Sequence, residues 1–241
     1  MLVDERRSSI ANISLDATSA AVLFDFGGTL DADGLPWKER VYRLFVDEGV
    51  AVARARFDPV FHAADDALVG AIPPALSLRE TVERLAAGVA GALELADPTV
   101  AGRVARRFLD ATLESLHDNT PLLARLARRY RLAIVSNFYG NLERVCDETG
   151  IRPLFGAIVD SARVGCAKPD PRIFRHALDA LGTTPAAATF VGDSLPRDMA
   201  GARALGMRHI WLVGDAAPAG GPCCRDDRVI HSLKDLEGVL L

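Results

Sequence analysis

Cysteine is scarce in this chain of 241 residues: Cys146, Cys166, Cys223 and Cys224 complete the set, and no CxxC spacing joins them. That excludes a disulfide framework of the secreted kind, and free thiols in a reducing, cytoplasmic compartment are expected. The adjacent Cys223 and Cys224 offer only a weak signal for metal binding or redox sensing, since no histidine lies nearby before His231. A basic block is missing too. The 28 Lys and Arg and the 32 Asp and Glu are mixed along the chain, for a net charge of −4, so nucleic acid is not an expected partner. A small anionic ligand stays open, because local charge governs it. No apolar run reaches membrane-spanning length, so no membrane partner is expected. The opening stretch MLVDERRSSIANISLDATSA has early charges and no apolar segment; it is not a secretory signal, and residues 1–19 read as a flexible leader.

Hydrophobic residues make up 49% of the chain and charged residues 25%, an ordinary globular balance. The length suits one large domain, or a core with a substantial insertion. Short continuous apolar runs recur: AAVLFDF (20–26), LAIVSN (132–137), AIVD (157–160), TFVGD (189–193), HIWLV (209–213) and, at an expected sheet edge, RVI (228–230). Such runs fit strands buried on both faces of a parallel sheet. Helical patterns alternate with them. TPLLARLARRY offers Thr120 as a cap and Pro121 at the first helical position, and DPRIFRHALDALG stops at Gly182. The expectation is an α/β fold with a Rossmann-like three-layer core.

One interval breaks the alternation. Residues 33–118 hold no convincing strand but four helical patterns. In the last, Val100, Val104, Phe108, Leu109, Leu113 and Leu116 share one face, while Arg103, Arg106, Arg107, Asp110 and Glu114 lie opposite. The expected organisation is an α/β core from 20–32 and 119–241, with a helical cap of 33–118 inserted after the first strand. A cap in that place stands over the strand end that carries Asp25.

Polar groups gather where this sheet would end. Asp25 closes the first strand, Ser136 and Asn137 the second, and Asp193 the fourth; Asp198 follows at a helix start and Lys168 sits in GCAKPDPRIF. Carboxylates packed together repel unless a cation lies among them, and a few hard oxygen ligands suit Mg²⁺, which also accepts phosphate oxygens. Ser136 and Lys168 can then hold the non-reacting oxygens of a phosphoryl group. Backbone N–H groups at Gly27, Gly28 and Thr29 add an anion-binding turn.

Taken in order, FDFGGTL around Asp25, VSN at Ser136, KPDP at Lys168 and VGDSLPRD with Asp193 and Asp198 resemble the four motifs of the haloacid dehalogenase-like superfamily, over residues 20–241 and including a helical cap of its C1 kind. The resemblance implies that Asp25 attacks phosphorus and forms an aspartyl-phosphate. It implies that Asp25, the Gly27 carbonyl and Asp193 hold Mg²⁺ with support from Asp198, and that Asn137, Gly28 and Thr29 meet the substrate. A small phosphorylated metabolite is the expected partner.

One position departs from the pattern. Phosphatases of this kind usually carry a second Asp two residues after the nucleophile, and here that residue is Gly27. Such acid–base help is worth about 10²–10⁴ in rate. Three explanations follow. The leaving group needs no proton, or a cap residue supplies it, with Asp31, Asp33, Lys38 and His62 the candidates by position although each fits a surface role. The displacement is of another kind, as in dehalogenase- or phosphonatase-like enzymes. Or the pocket only binds a phosphorylated ligand. Trp37, at the cap entrance, suits either packing or specificity. A Gly27→Asp change is expected to raise activity on alkyl phosphates.

Overall fold

The computed structural model describes residues 20–214 and 228–241. The leader at residues 1–19 and the pair Cys223–Cys224 lie outside the described residues.

Six strands form one parallel sheet: β1 (Ala21–Phe24), β2 (Arg131–Ser136), β3 (Ala157–Asp160), β4 (Ala188–Gly192), β5 (Arg208–Leu212) and β6 (Arg228–Ile230). Their order is β3-β2-β1-β4-β5-β6, so RVI does form an edge. The expected α/β Rossmann-like core is therefore what the chain adopts. In β1 the two-residue period divides the side chains: Val22 and Phe24 join one apolar layer, Ala21 and Leu23 the other. Both faces are thus covered, which is why these strands read as unbroken apolar runs.

Between β1 and β2 run α1 (Trp37–Asp47), α2 (Arg54–Asp66), α3 (Leu78–Ala92) and α4 (Val100–Leu126). Ser77 caps α3 reciprocally with Glu80, its hydroxyl accepting from the Glu80 N–H. The remaining helices are α5 (Leu142–Glu148), α6 (Ser161–Val164), α7 (Pro171–Leu181), α8 (Ala200–Ala204) and α9 (Leu236–Leu240). As expected, α7 ends at Gly182, which adopts the left-handed conformation at φ 59°.

Two local expectations need correction. Thr120 and Pro121 do not begin a helix; they lie inside α4, which is 27 residues long. The Thr120 hydroxyl turns back to the Leu116 carbonyl at 2.7 Å instead of capping. Burial of Leu116, Asn119, Leu122 and Leu123 holds the helix through the proline. Leu113 also misses the apolar face: it is exposed, whereas Val100, Val104, Phe108, Leu109 and Leu116 are buried. On the opposite face, Arg103 and Arg107 pair with Glu48, and Arg107 with Asp47, tying α4 to the end of α1. These arginines are committed within the molecule.

Candidate active site

Parallel strands point their carboxyl ends the same way, and the loops there carry the polar residues. The Asp25 N–H bonds the Val191 carbonyl of β4 at 2.9 Å, which fixes Asp25 at the mouth of the sheet. Its Oδ1 accepts from Phe26 N and Ser136 Oγ, each at 2.7 Å, and pairs with Lys168 Nζ at 2.7 Å. Oδ2 makes no hydrogen bond among the described residues. One oxygen is thus anchored and the other left available.

Lys168 also lies 2.7 Å from Asp198 Oδ1, and the ammonium is buried between the two carboxylates. Burial alone would lower its pKa, but the charges of Asp198 and Asp25 outweigh it and move the pKa up. The other Asp198 oxygen accepts from Ser194 N at 3.0 Å. Both Asp198 oxygens are therefore engaged, which suits a supporting role. Gly192 makes room for it, since a Cβ there would meet Asp198 Oδ2 at 2.4 Å.

Asp193 is held by Thr29 Oγ1, which donates to its Oδ1 at 3.1 Å, and by Trp211 Nε1, which donates to its carbonyl at 2.9 Å. Gly28, at φ 88°, lets the chain turn under it; a Cβ at Gly28 would stand 2.7 Å from Asp193 Oδ2. Burial, then the neighbouring Asp198 and Asp25 charges, push the Asp193 carboxyl well above the usual carboxylate range. Asp25, Asp193 and Asp198 each offer an oxygen within 4.8 Å of the others. With Lys168 as the cation lying between two of them, the set keeps an excess of negative charge, and a hard divalent ion such as Mg²⁺ fits it.

The groups expected to meet the substrate have partners within the chain. Asn137 gives both ends of its amide to Lys168, donating from Nδ2 to the carbonyl at 3.1 Å and accepting from the backbone N–H at 2.7 Å. It positions Lys168. The Gly28 N–H, expected to meet an anion, donates to Asp31 Oδ1 at 2.6 Å. Thr29 is fully buried with its hydroxyl on Asp193.

Sequence reasoning missed what stands against Gly27. A Cβ at Gly27 would sit 3.1 Å from Trp37 Nε1 and 3.3 Å from Trp37 Cδ1. The indole fills that space, packed edge-on against Phe108 and Phe138 at centroid distances of 4.8 and 5.8 Å. Its N–H donates to Asp31 Oδ2 at 2.7 Å, and Arg40 Nη1 donates to the same oxygen at 2.8 Å. Asp31 is therefore no surface residue: it is wholly buried, and burial raises its pKa against the pull of Arg40. Asp33 accepts from Ser232 Oγ and Leu233 N, Lys38 pairs with Asp58, and His62 is exposed.

A family model described as haloacid dehalogenase-like hydrolase matches residues 20–206. The chain belongs to the haloacid dehalogenase-like hydrolases. It is 46% identical over 91 residues to haloacid dehalogenase-like hydrolase domain-containing protein 3 of Mus musculus, covering 38% of this chain and 36% of that protein. It is 38% identical over 109 residues to the phosphoserine phosphatase of Thermus thermophilus, covering 44% of each. The matches thus span less than half the length of these relatives. The crystal structure of the HAD-hydrolase YfnB from Bacillus subtilis, bound to magnesium, aligns over 92% of this chain and 98% of its own with a TM-score of 0.58 at 22% identity, which shows the shared fold. Among the described residues no helix is long and apolar enough to cross a membrane.

Proposed function

We propose that this hydrolase is a Mg²⁺-dependent phosphatase of a small phosphorylated metabolite, acting in the cytoplasm through an aspartyl-phosphate on Asp25. The observation that carries the reading is the state of Asp25: Oδ1 is held by three donors, Oδ2 makes no hydrogen bond among the described residues, and two more carboxylates stand close by. The likeness to a phosphoserine phosphatase supports a phosphoric ester. Asp25, Asp193 and the Gly27 carbonyl are the proposed metal ligands, with Asp198 behind them. The bound ion would supply charge neutralisation, without which an anionic phosphoryl group is repelled from these acids.

The chain's own residues do the rest. Lys168 and Ser136 orient Asp25 and offer positive charge and a hydroxyl to the phosphoryl oxygens. Asn137 fixes the Lys168 peptide. Asp25 bonds to phosphorus as the leaving oxygen departs, and water then releases phosphate. Residues 33–118 serve as the C1-type cap over this site, with 20–32 and 119 onward as the core.

The test is phosphate release from acetyl phosphate and p-nitrophenyl phosphate, in Mg²⁺ and in chelator, by the wild type and by Asp25→Asn. Turnover lost on chelation and in the variant is expected. Chloride release from 2-chloropropionate that survives chelation would instead favour a dehalogenase-like displacement. Phosphate binding without turnover would favour a non-catalytic phospholigand-binding protein.

A further inference from the structure

With Trp37 over Gly27, the proton for a poor leaving group must come from elsewhere. Asp31, Asp33 and Lys38 are committed to other partners. A different carboxyl, on α2, reaches the core. Asp65 Oδ1 accepts a 2.5 Å hydrogen bond from the Tyr139 hydroxyl. Tyr139 is buried three residues beyond Ser136. Its ring centroid lies 6.1 Å from that of Trp37 and 4.9 Å from that of Phe138, within the aromatic layer that roofs Gly27. Asp65 Oδ2 makes no hydrogen bond among the described residues.

Resting on the phosphatase reading, we infer that Asp65 stands in for the missing acid: its Oδ2 carries the proton to the leaving oxygen, and Tyr139 is the positioning residue that aims it. An Asp25 oxygen bonds to phosphorus while the bond from phosphorus to the leaving oxygen breaks. The Asp65 proton passes to that oxygen, and the product leaves as an alcohol. The Asp65 carboxylate then takes a proton from water as the water oxygen bonds to phosphorus and the bond to Asp25 breaks. Inorganic phosphate departs, and both carboxyls return to their starting forms.

The surroundings suit a proton donor. Burial raises the Asp65 pKa, the Tyr139 hydrogen bond opposes it, Asp66 adds to the rise, and Arg197 and His62 pull it down. These groups face it from α2 itself, from the loop after β2 and from the segment after β4. A carboxyl moved upward by burial is a common acid–base device at cleft positions.

The experiment compares kcat/KM for p-nitrophenyl, phenyl and ethyl phosphate, because this ratio reports events up to formation of the aspartyl-phosphate. Asp65→Asn keeps an acceptor for Tyr139 and removes the proton. Ethyl phosphate hydrolysis should fall roughly 10²-fold or more, and p-nitrophenyl phosphate hydrolysis less than about threefold, since that leaving group needs little help. An equal loss on all three esters, or no loss on ethyl phosphate, overturns the assignment. The wild-type pH profile is a second measure, usable even should the variant fail to fold. Ethyl phosphate kcat/KM should decline as pH rises through the Asp65 pKa while the p-nitrophenyl value does not; superimposable profiles overturn it. Turnover of p-nitrophenyl phosphate by the wild type but not by Asp25→Asn keeps the phosphatase reading whichever way Asp65 falls. Absence of any Asp25-dependent turnover overturns both.

Discussion

Gly27 has φ −74° and ψ 117°, a conformation open to any L-residue. The backbone does not demand glycine there; the neighbour does. Trp37 leaves a Cβ only 3.1 Å of room, and it is wedged among Phe108, Phe138 and Tyr139. Gly28, the next residue, is a different case, since φ 88° and the close approach of Asp193 both require it. The expectation that Gly27→Asp restores an acid is therefore revised. The added carboxyl competes with the indole for one space, and overpacking of this kind costs about 1–3 kcal/mol. Urea unfolding should show a loss of that order, and kcat/KM on alkyl phosphates should not rise. A variant as stable as the wild type with faster alkyl phosphate hydrolysis would mean that Trp37 gives way, and would sink the claim that the indole occupies the acid's place.

The turn after β1, α1 and α4 are joined by one buried ion pair. Asp31 accepts from Gly28 N in the turn and from Trp37 and Arg40 of α1; Arg40 Nη2 donates to the Phe108 carbonyl at 3.1 Å and to Thr112 Oγ1 at 2.7 Å on α4. Its guanidinium also lies 3.8 Å from the centre of the Phe108 ring. Removing Arg40 leaves the buried Asp31 carboxylate without its counter-charge, so Arg40→Met should lose about 3–5 kcal/mol in equilibrium unfolding. Glu48→Gln, which removes a charge from the more exposed pairs with Arg103 and Arg107, should lose far less. Comparable losses from the two changes would contradict this ranking. The same network shows where sequence reading stops. The strands were legible because burial on both faces writes them as apolar runs; Asp25, Ser136 and Asp193 were legible because each sits where such a run ends, and Lys168 because it falls in the KPDP motif just before a helix. Asp31, Trp37 and Arg40 lie within a single helical approach and carry no such mark. Their meaning depends on Phe108 and Thr112, which are 68 and 72 residues from Arg40. Tyr139 and Asp65 are 74 residues apart, and only the packing of α2 against the core brings them together. Thr120 and Pro121 mimic a helix start locally, and long-range burial along α4 overrides them.

At the scale of the whole molecule, the proposed site should set how stability responds to pH and metal. The folded protein holds Asp193 well above 3.8, and Asp198 above it also, with burial the first cause for both. A carboxyl whose folded pKa is raised binds more protons folded than unfolded, so its contribution to stability falls as pH rises from the unfolded value through the folded one. Asp31, Asp65 and Asp160 are shifted in the same direction, so a decline of metal-free stability toward alkaline pH would not by itself identify the site. The difference made by Mg²⁺ does. An ion held by these acids would bind their ionised forms and compete with their protons, so its stabilisation should grow from pH 5 to pH 8. At a hundredfold excess over Kd the gain is about 2.7 kcal/mol, and for a chain of this size each kcal/mol moves Tm by roughly 2–4 °C. Thermal melts at the two pH values, with Mg²⁺ and with chelator, should show the larger Tm rise at pH 8. Asp193→Asn should abolish most of that rise and lift the metal-free Tm at pH 8, because the repelling carboxylate is gone while its shape remains. An equal Mg²⁺ effect at both pH values, or an unchanged one in Asp193→Asn, would show that the ion acts elsewhere and that these acids are not gathered to receive it.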